Sequence, residues 1–146
     1  MSDFSKHTIL VVDDTRDNLE LFRAALEMLH NATVHCAVSG DEALAFLAAT
    51  RPTIIVTDLS MPRIDGYALL HLLRQRPDTL NLPVIAITAH AMKGDRERIL
   101  DAGFDGYISK PFDISTLANE LAACLDTFNL KRKPTVSVER VPPHAA

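Results

Sequence analysis

The sequence predicts an α/β domain built on one doubly wound parallel sheet. Two observations carry that prediction. Five short runs rich in Ile, Val and Leu alternate with five stretches whose apolar residues recur at helical spacing. The runs are apolar almost throughout, as expected of strands covered on both faces. The 146 residues make one ordinary domain, and an apolar content of 47% supplies its core.

Taken in order, Thr8-Ile9-Leu10-Val11-Val12 reads as a buried strand that ends at Asp13-Asp14. A helix follows from about Arg16 to His30, with Leu19, Phe22, Leu26 and Leu29 forming one stripe. Residues 32–38 are a weaker second strand, and residues 41–49 a short second helix carrying Ala43, Leu44 and Leu47. Ile54-Ile55-Val56-Thr57 is a third strand that ends at Asp58. Residues 66–76 form a third helix closed by Pro77, and residues 83–88 a fourth strand. Pro83 stands at its first position, where a missing N–H does least harm. Residues 92–102 are helical and stop at Gly103, and residues 106–109 make a short fifth strand. Leu117, Leu121, Cys124 and Phe128 mark the apolar stripe of a fifth helix.

Such βα alternation with right-handed crossovers leaves few arrangements, of which the flavodoxin-like order 2-1-3-4-5 is among the commonest at this length. Residues 1–6 are a polar lead-in, residues 7–126 the domain, and residues 127–146 a C-terminal tail. The tail holds the basic cluster Lys131-Arg132-Lys133 and three prolines. It reads as a flexible end or, through the alternation Thr135-Val136-Ser137-Val138, as an edge strand offered to a partner.

A net charge of −4 and a pI near 5.8 argue against nucleic acid and against anionic membranes as partners. The first apolar stretch is too short for a signal peptide or a membrane span, so a cytoplasmic location is expected. Cys36 and Cys124 suggest neither a disulfide framework nor a zinc site, and read as two buried free thiols.

In a parallel sheet of this kind ligands bind at the carboxyl ends of the strands. Those ends carry Asp13-Asp14, Asp58, Thr88 and Lys110-Pro111, so three carboxylates, a hydroxyl and an ammonium should meet at one rim. Crowded carboxylates repel unless a positive group joins them. An all-oxygen set suits a hard cation, and Mg²⁺ is the expected one where phosphate is also a ligand. Asp58 is the candidate nucleophile, Lys110 offsets further negative charge, and Thr88 offers one hydrogen bond to an incoming oxygen. The five glycines form no phosphate cradle, so the phosphoryl donor is not expected to be a nucleotide held by this chain. The plainer alternatives are helix capping for Asp13 or Asp14, core packing for Tyr107, a turn and helix entry for Asp65-Gly66, and solvated surface for His90. The sharper reading of His90 has it tuning water access and phosphate lifetime.

The ordered set Asp13-Asp14, Asp58-Leu59-Ser60-Met61-Pro62, Asp65-Gly66, Ile87-Thr88-Ala89 and Tyr107-Ile108-Ser109-Lys110-Pro111 resembles the receiver domain of two-component response regulators, of the chemotaxis-response-regulator type. The resemblance spans roughly residues 7–126 and shows no departure from the usual residue types. It implies that Asp58 accepts a phosphoryl group from the phosphohistidine of a histidine kinase. It implies that Asp13 and Asp14, with Asp58 and the Ser60 carbonyl, hold Mg²⁺. Lys110 would pair with the phosphoryl group, Thr88 follow it as the switch hydroxyl, and Tyr107 turn inward with Thr88. The Lys110-Pro111 bond is expected to be cis. Residues 92–126 would form the output face.

The expected partners are a sensor kinase or phosphotransfer protein and a downstream protein, with a homodimer also open. A phosphate sink that drains a kinase is a second output. A haloacid-dehalogenase-like phosphatase is the enzymatic rival, but Ser60 stands where that class needs its second acid. A non-phosphorylated interaction module is the third reading.

Overall fold

Strands that are apolar on both faces must be covered from above and below, and the chain does this with five helices around one sheet. The computed structural model describes residues 4–140, with side chains to residue 131. Strands β1 (Thr8–Val12), β2 (Thr33–Ala37), β3 (Ile54–Asp58), β4 (Val84–Thr88) and β5 (Gly106–Ser109) are all parallel, in the order β2-β1-β3-β4-β5. Helices α1 (Arg16–Arg23), α2 (Gly40–Leu47), α3 (Gly66–Leu73), α4 (Lys93–Ala102) and α5 (Ile114–Arg140) connect and close it. This is the order expected from the sequence.

Side chains alternate across the sheet with a period of two and so make two cores. Ile9, Val11, Ile54, Val56, Ile85, Ile87 and Ile108 pack on one side with Phe22, Leu26, Leu117 and Leu121. Leu10, Val12, Ile55, Val84 and Ala86 pack on the other with Leu47, Leu69, Leu73, Ile99 and Phe104. The polar lead-in is not wholly outside the fold. Phe4 is only 2% exposed and joins the first core, with His7 and His30 against its ring.

The helix expected over residues 16–30 is not uniform. After Arg23 it widens into a π-helical segment, Ala24–Met28. Wider turns advance the buried face, so Ala25 and Leu26 are buried while Leu29 leaves the expected stripe and lies exposed. Asn31 then adopts φ 63°, and its N–H bonds the Glu27 carbonyl at 3.2 Å to end the helix. At the other extremity α5 runs past Asp126 to Arg140, carrying Thr135–Val138 in helical rather than extended backbone. Residues 141–146 of the expected tail lie outside the described residues.

Two devices secure the margins of the sheet. At the pole opposite the strand carboxyl ends, the Arg74 guanidinium donates to the carbonyls of Leu80, Leu82 and Gly103 and to Asp105 Oδ2 at 2.9 Å. Asp105 Oδ2 also accepts the Val84 N–H, so the C-terminal ends of α3 and α4 are stapled to the starts of β4 and β5. On edge strand β2, Thr33 and Ala37 bond toward β1, which turns the N–H groups of Val34 and Val38 outward. Glu27 Oε2 accepts the first at 3.1 Å and Glu42 Oε1 the second at 2.9 Å.

Candidate functional site

Register decides what meets at the carboxyl rim. Val12 pairs with Thr57, Asp58 with Ile87, and Thr88 with Ser109. The residues one step beyond β1 and β5 are Asp13 and Lys110, so both fall beside Asp58. Carboxylate oxygens of Asp13, Asp14 and Asp58 lie within 4.8 Å of one another. Lys110 Nζ donates to Asp58 Oδ2 at 3.0 Å and stands 3.6 Å from Asp13 Oδ2. The Lys110–Pro111 peptide is cis.

The acids differ in how they are held. Asp13 is fully buried, and its Oδ1 accepts the Thr15 N–H at 2.9 Å while Oδ2 accepts Asn18 Nδ2 at 3.1 Å. It thus fixes the chain entering α1 and also faces the site. Asp14 is exposed. Asp58 is 4% exposed, with the Ser60 N–H 3.3 Å from its Oδ1. Burial pushes the Asp58 carboxyl above the usual carboxylate range, and the Asp13 charge adds to this, against the Lys110 hydrogen bond that opposes it. Burial lowers the Lys110 ammonium, but its bond to Asp58 and the charges of Asp13 and Asp58 outweigh that and raise it overall.

Three carboxylates faced by one ammonium leave about two uncompensated negative charges at a largely buried spot, which is costly without a cation. The donors are all oxygen and one side opens to solvent through Asp14, which is the donor set of a hard ion that keeps some water. The residues therefore fit Mg²⁺.

The hydroxyl of Thr88 is not on Asp58. Thr88 Oγ1 donates to the His90 carbonyl at 3.0 Å and accepts the His90 N–H at 2.9 Å. His90 thus meets the site through its backbone, and its own exposure agrees with the plainer reading of its ring. Tyr107 is half buried against the second core and makes no hydrogen bond with the acids among the described residues. The two cysteines are free but half buried rather than buried, because each side chain lies toward an outer strand of the sheet. Cys36 meets Arg23 there, and the Cys124 thiol would lie only 2.6 Å from a Cβ at Gly106.

Two further residues shape the rim: Asn18, which was passed over in the sequence, and Gly66, which stands at the helix entry expected there. Asn18 orients Asp13, and its place one helical turn into α1 is the signal that would have found it. Gly66 opens α3, and a Cβ there would sit 2.5 Å from the Asp58 carbonyl oxygen and 2.8 Å from Leu59 Cα. The close approach of α3 to the acceptor strand therefore requires glycine. Asp65 caps the helix by accepting the Ala68 N–H at 2.8 Å.

Comparison with known proteins agrees with this geometry. Residues 9–122 match the family described as the response regulator receiver domain. The chain is 36% identical over 107 residues to the polar-differentiation response regulator DivK of Brucella anthropi, across 73% of this chain and 86% of that protein. Its fold is similar to that of the chemotaxis response regulator CheY4 of Vibrio cholerae, with TM-score 0.76 and 24% identity over 81% of this chain and 98% of that one. The receiver domain of a sensor histidine kinase of Pseudomonas aeruginosa, which has a magnesium ion coordinated in its active-site cleft, superposes with TM-score 0.71 and 30% identity over 84% of this chain and 98% of that one. This chain belongs to the response regulator receiver family.

Proposed function

We propose that Asp58 is the phosphoacceptor of a response regulator, taking a phosphoryl group from a phosphohistidine of a histidine kinase or phosphotransfer protein. The observation that carries this reading is the buried Asp58 carboxylate bonded to Lys110 Nζ at 3.0 Å, with Asp13 and Asp14 close enough to share a cation. A carboxylate oxygen of Asp58 attacks phosphorus, the P–N bond breaks, and the imidazole leaves with the electron pair and takes a proton from solvent.

Asp13, Asp14 and Asp58 would hold Mg²⁺, with the Ser60 carbonyl as a further ligand. When bound, the ion supplies charge neutralisation for the phosphoryl oxygens. Lys110 keeps the acceptor oriented and then pairs with the phosphoryl group. Its ammonium, held charged by its acidic neighbours, needs no proton transfer to do so. The product carries roughly −1.5 to −2 charge and three strong acceptor oxygens. Thr88 leaves His90 to donate to one of them, and residues 92–126, with Tyr107, pass the change to a partner protein or to a second copy. The chain is then a signalling switch that promotes its own modification, acting inside the cell.

Incubation with acetyl phosphate or a labelled kinase in Mg²⁺ should give one acid-stable, base-labile phosphoryl group per chain. Asp58→Asn, or removal of Mg²⁺ with EDTA, should abolish it. Undiminished labelling of the Asp58→Asn protein would refute the assignment.

A further inference from the structure

The only partners of the Thr88 hydroxyl among the described residues are the carbonyl and N–H of His90. If Thr88 turns to a phosphoryl oxygen, both backbone groups of His90 lose their side-chain partner. The side chain that replaces Thr88 decides where the loop between β4 and α4 comes to rest.

Thr88 and His90 open onto a cleft of about 230 Å³ between α3 and α4, which Ser60, Tyr67, Arg98 and Ile99 also line. Tyr107 does not line it. The Tyr67 hydroxyl makes no hydrogen bond to any described residue, although Tyr67 borders this polar cleft. Tyr67 is only half buried, so its hydroxyl is free to take a partner within the cleft.

The ring of Tyr67 is tied to both sides of the switch. Its neighbour Gly66 rests on the Asp58 carbonyl, with the Gly66 N–H donating to the Leu59 carbonyl at 3.0 Å. On the other side, the ring meets Phe104 edge-on, 5.7 Å between centroids and 76° between planes. Phe104 is 3% exposed and sits at the end of α4 with its N–H on the Ile99 carbonyl.

We propose that Tyr67 is a positioning residue of the switch, whose hydroxyl takes over the His90 carbonyl when Thr88 leaves it, so that α3 and α4 are joined in the phosphorylated state. This rests on the phosphoacceptor reading given above. Tyr67 contributes nothing to the transfer step and acts only through His90.

The protein contains two tyrosines and no tryptophan, so Tyr67→Phe leaves Tyr107 as the sole reporter and its difference from the wild type reports Tyr67. With Mg²⁺ and beryllofluoride as the phosphoryl mimic, the wild type should change its tyrosine emission on saturation by more than Tyr67→Phe does. Tyr67→Phe, which keeps the ring on Phe104, should bind the mimic about three- to tenfold more weakly, the loss of one neutral hydrogen bond. Its Mg²⁺ affinity without beryllofluoride should be unchanged, which a general loosening of the fold would not leave intact. An emission change in Tyr67→Phe equal to that of the wild type, or equal mimic affinity, overturns the proposal while the acceptor assignment stands. Failure of the wild-type protein to bind Mg²⁺ and beryllofluoride overturns both.

Discussion

Helices α1 and α4 each follow a strand that ends in the site, yet they are held very differently. Leu19 and Phe22 of α1 are buried, as are Ala25 and Leu26 in the π-helical continuation, and Asn18 reaches back to Asp13. Helix α4 buries one residue, Ile99, its N-cap Met92 is 77% exposed and offers no side-chain cap, and its firm attachment is the Arg74 staple at the far end. Asp13 on the α1 side is therefore built into the core, whereas the Thr88 side can move. A switch needs both, since fixed ligands keep the chemistry in place while a weakly held helix turns a small local change into a new surface.

The sharpest way to break this comparison is to hollow out its rigid half. Phe22→Ala removes a fully buried ring, and urea unfolding should show a loss of about 3–5 kcal/mol. A loss below about 1 kcal/mol would mean that α1 is no better anchored than α4.

Adding the same methyl group at two glycines should give opposite signs. Gly66→Ala drives a Cβ against the Asp58 carbonyl, and should cost about 1–3 kcal/mol and slow labelling with acetyl phosphate. At Gly94, in the first turn of α4, a Cβ meets nothing within 4 Å, so Gly94→Ala should stabilise by about 0.5–1 kcal/mol in thermal melts. If both substitutions destabilised alike, the looseness assigned to α4 would be wrong.

Between these in size is the acceptor itself. The folded state raises the Asp58 pKa above its unfolded value, so the native protein binds more protons than the unfolded chain. That contribution is fully present below the unfolded value near 3.8 and is lost as pH rises through the folded pKa. Metal-free Asp58→Asn should therefore melt higher than the wild type at pH 7, the gap narrowing as pH falls toward 4. Saturating Mg²⁺ should reverse the order, because only the wild type offers the full set of ligands.

Much of this site could be read in advance because strand ends are legible. Apolar runs such as Ile54-Ile55-Val56-Thr57 stop where a polar residue must face solvent or a ligand, and parallel pairing brings those stops to one rim. What escaped depends on three-dimensional detail that residue patterns do not carry. Leu29 has the spacing of a core residue, but the π-helical segment ahead of it changes the count per turn. Phe4 looks like part of a polar lead-in, but its N–H bonds the His30 carbonyl and its ring packs against His7 and His30 within the core. The Thr88 hydroxyl could be placed at the rim but not aimed, because its partner is a backbone group two residues on. Tyr67 escaped for the same reason, since its relation to Thr88 exists only across the packing of α3 and α4.

The carboxylates of Glu27 and Glu42 over the outer N–H groups at β2 have a consequence for the protein in a crowded cell. An open strand margin is a template on which foreign β-segments can grow, and charged lids deny them their first bonds. Removing a lid, as in Glu27→Ala, exposes that margin, so the first sign of damage should be slow fibrillar or amorphous association at high concentration.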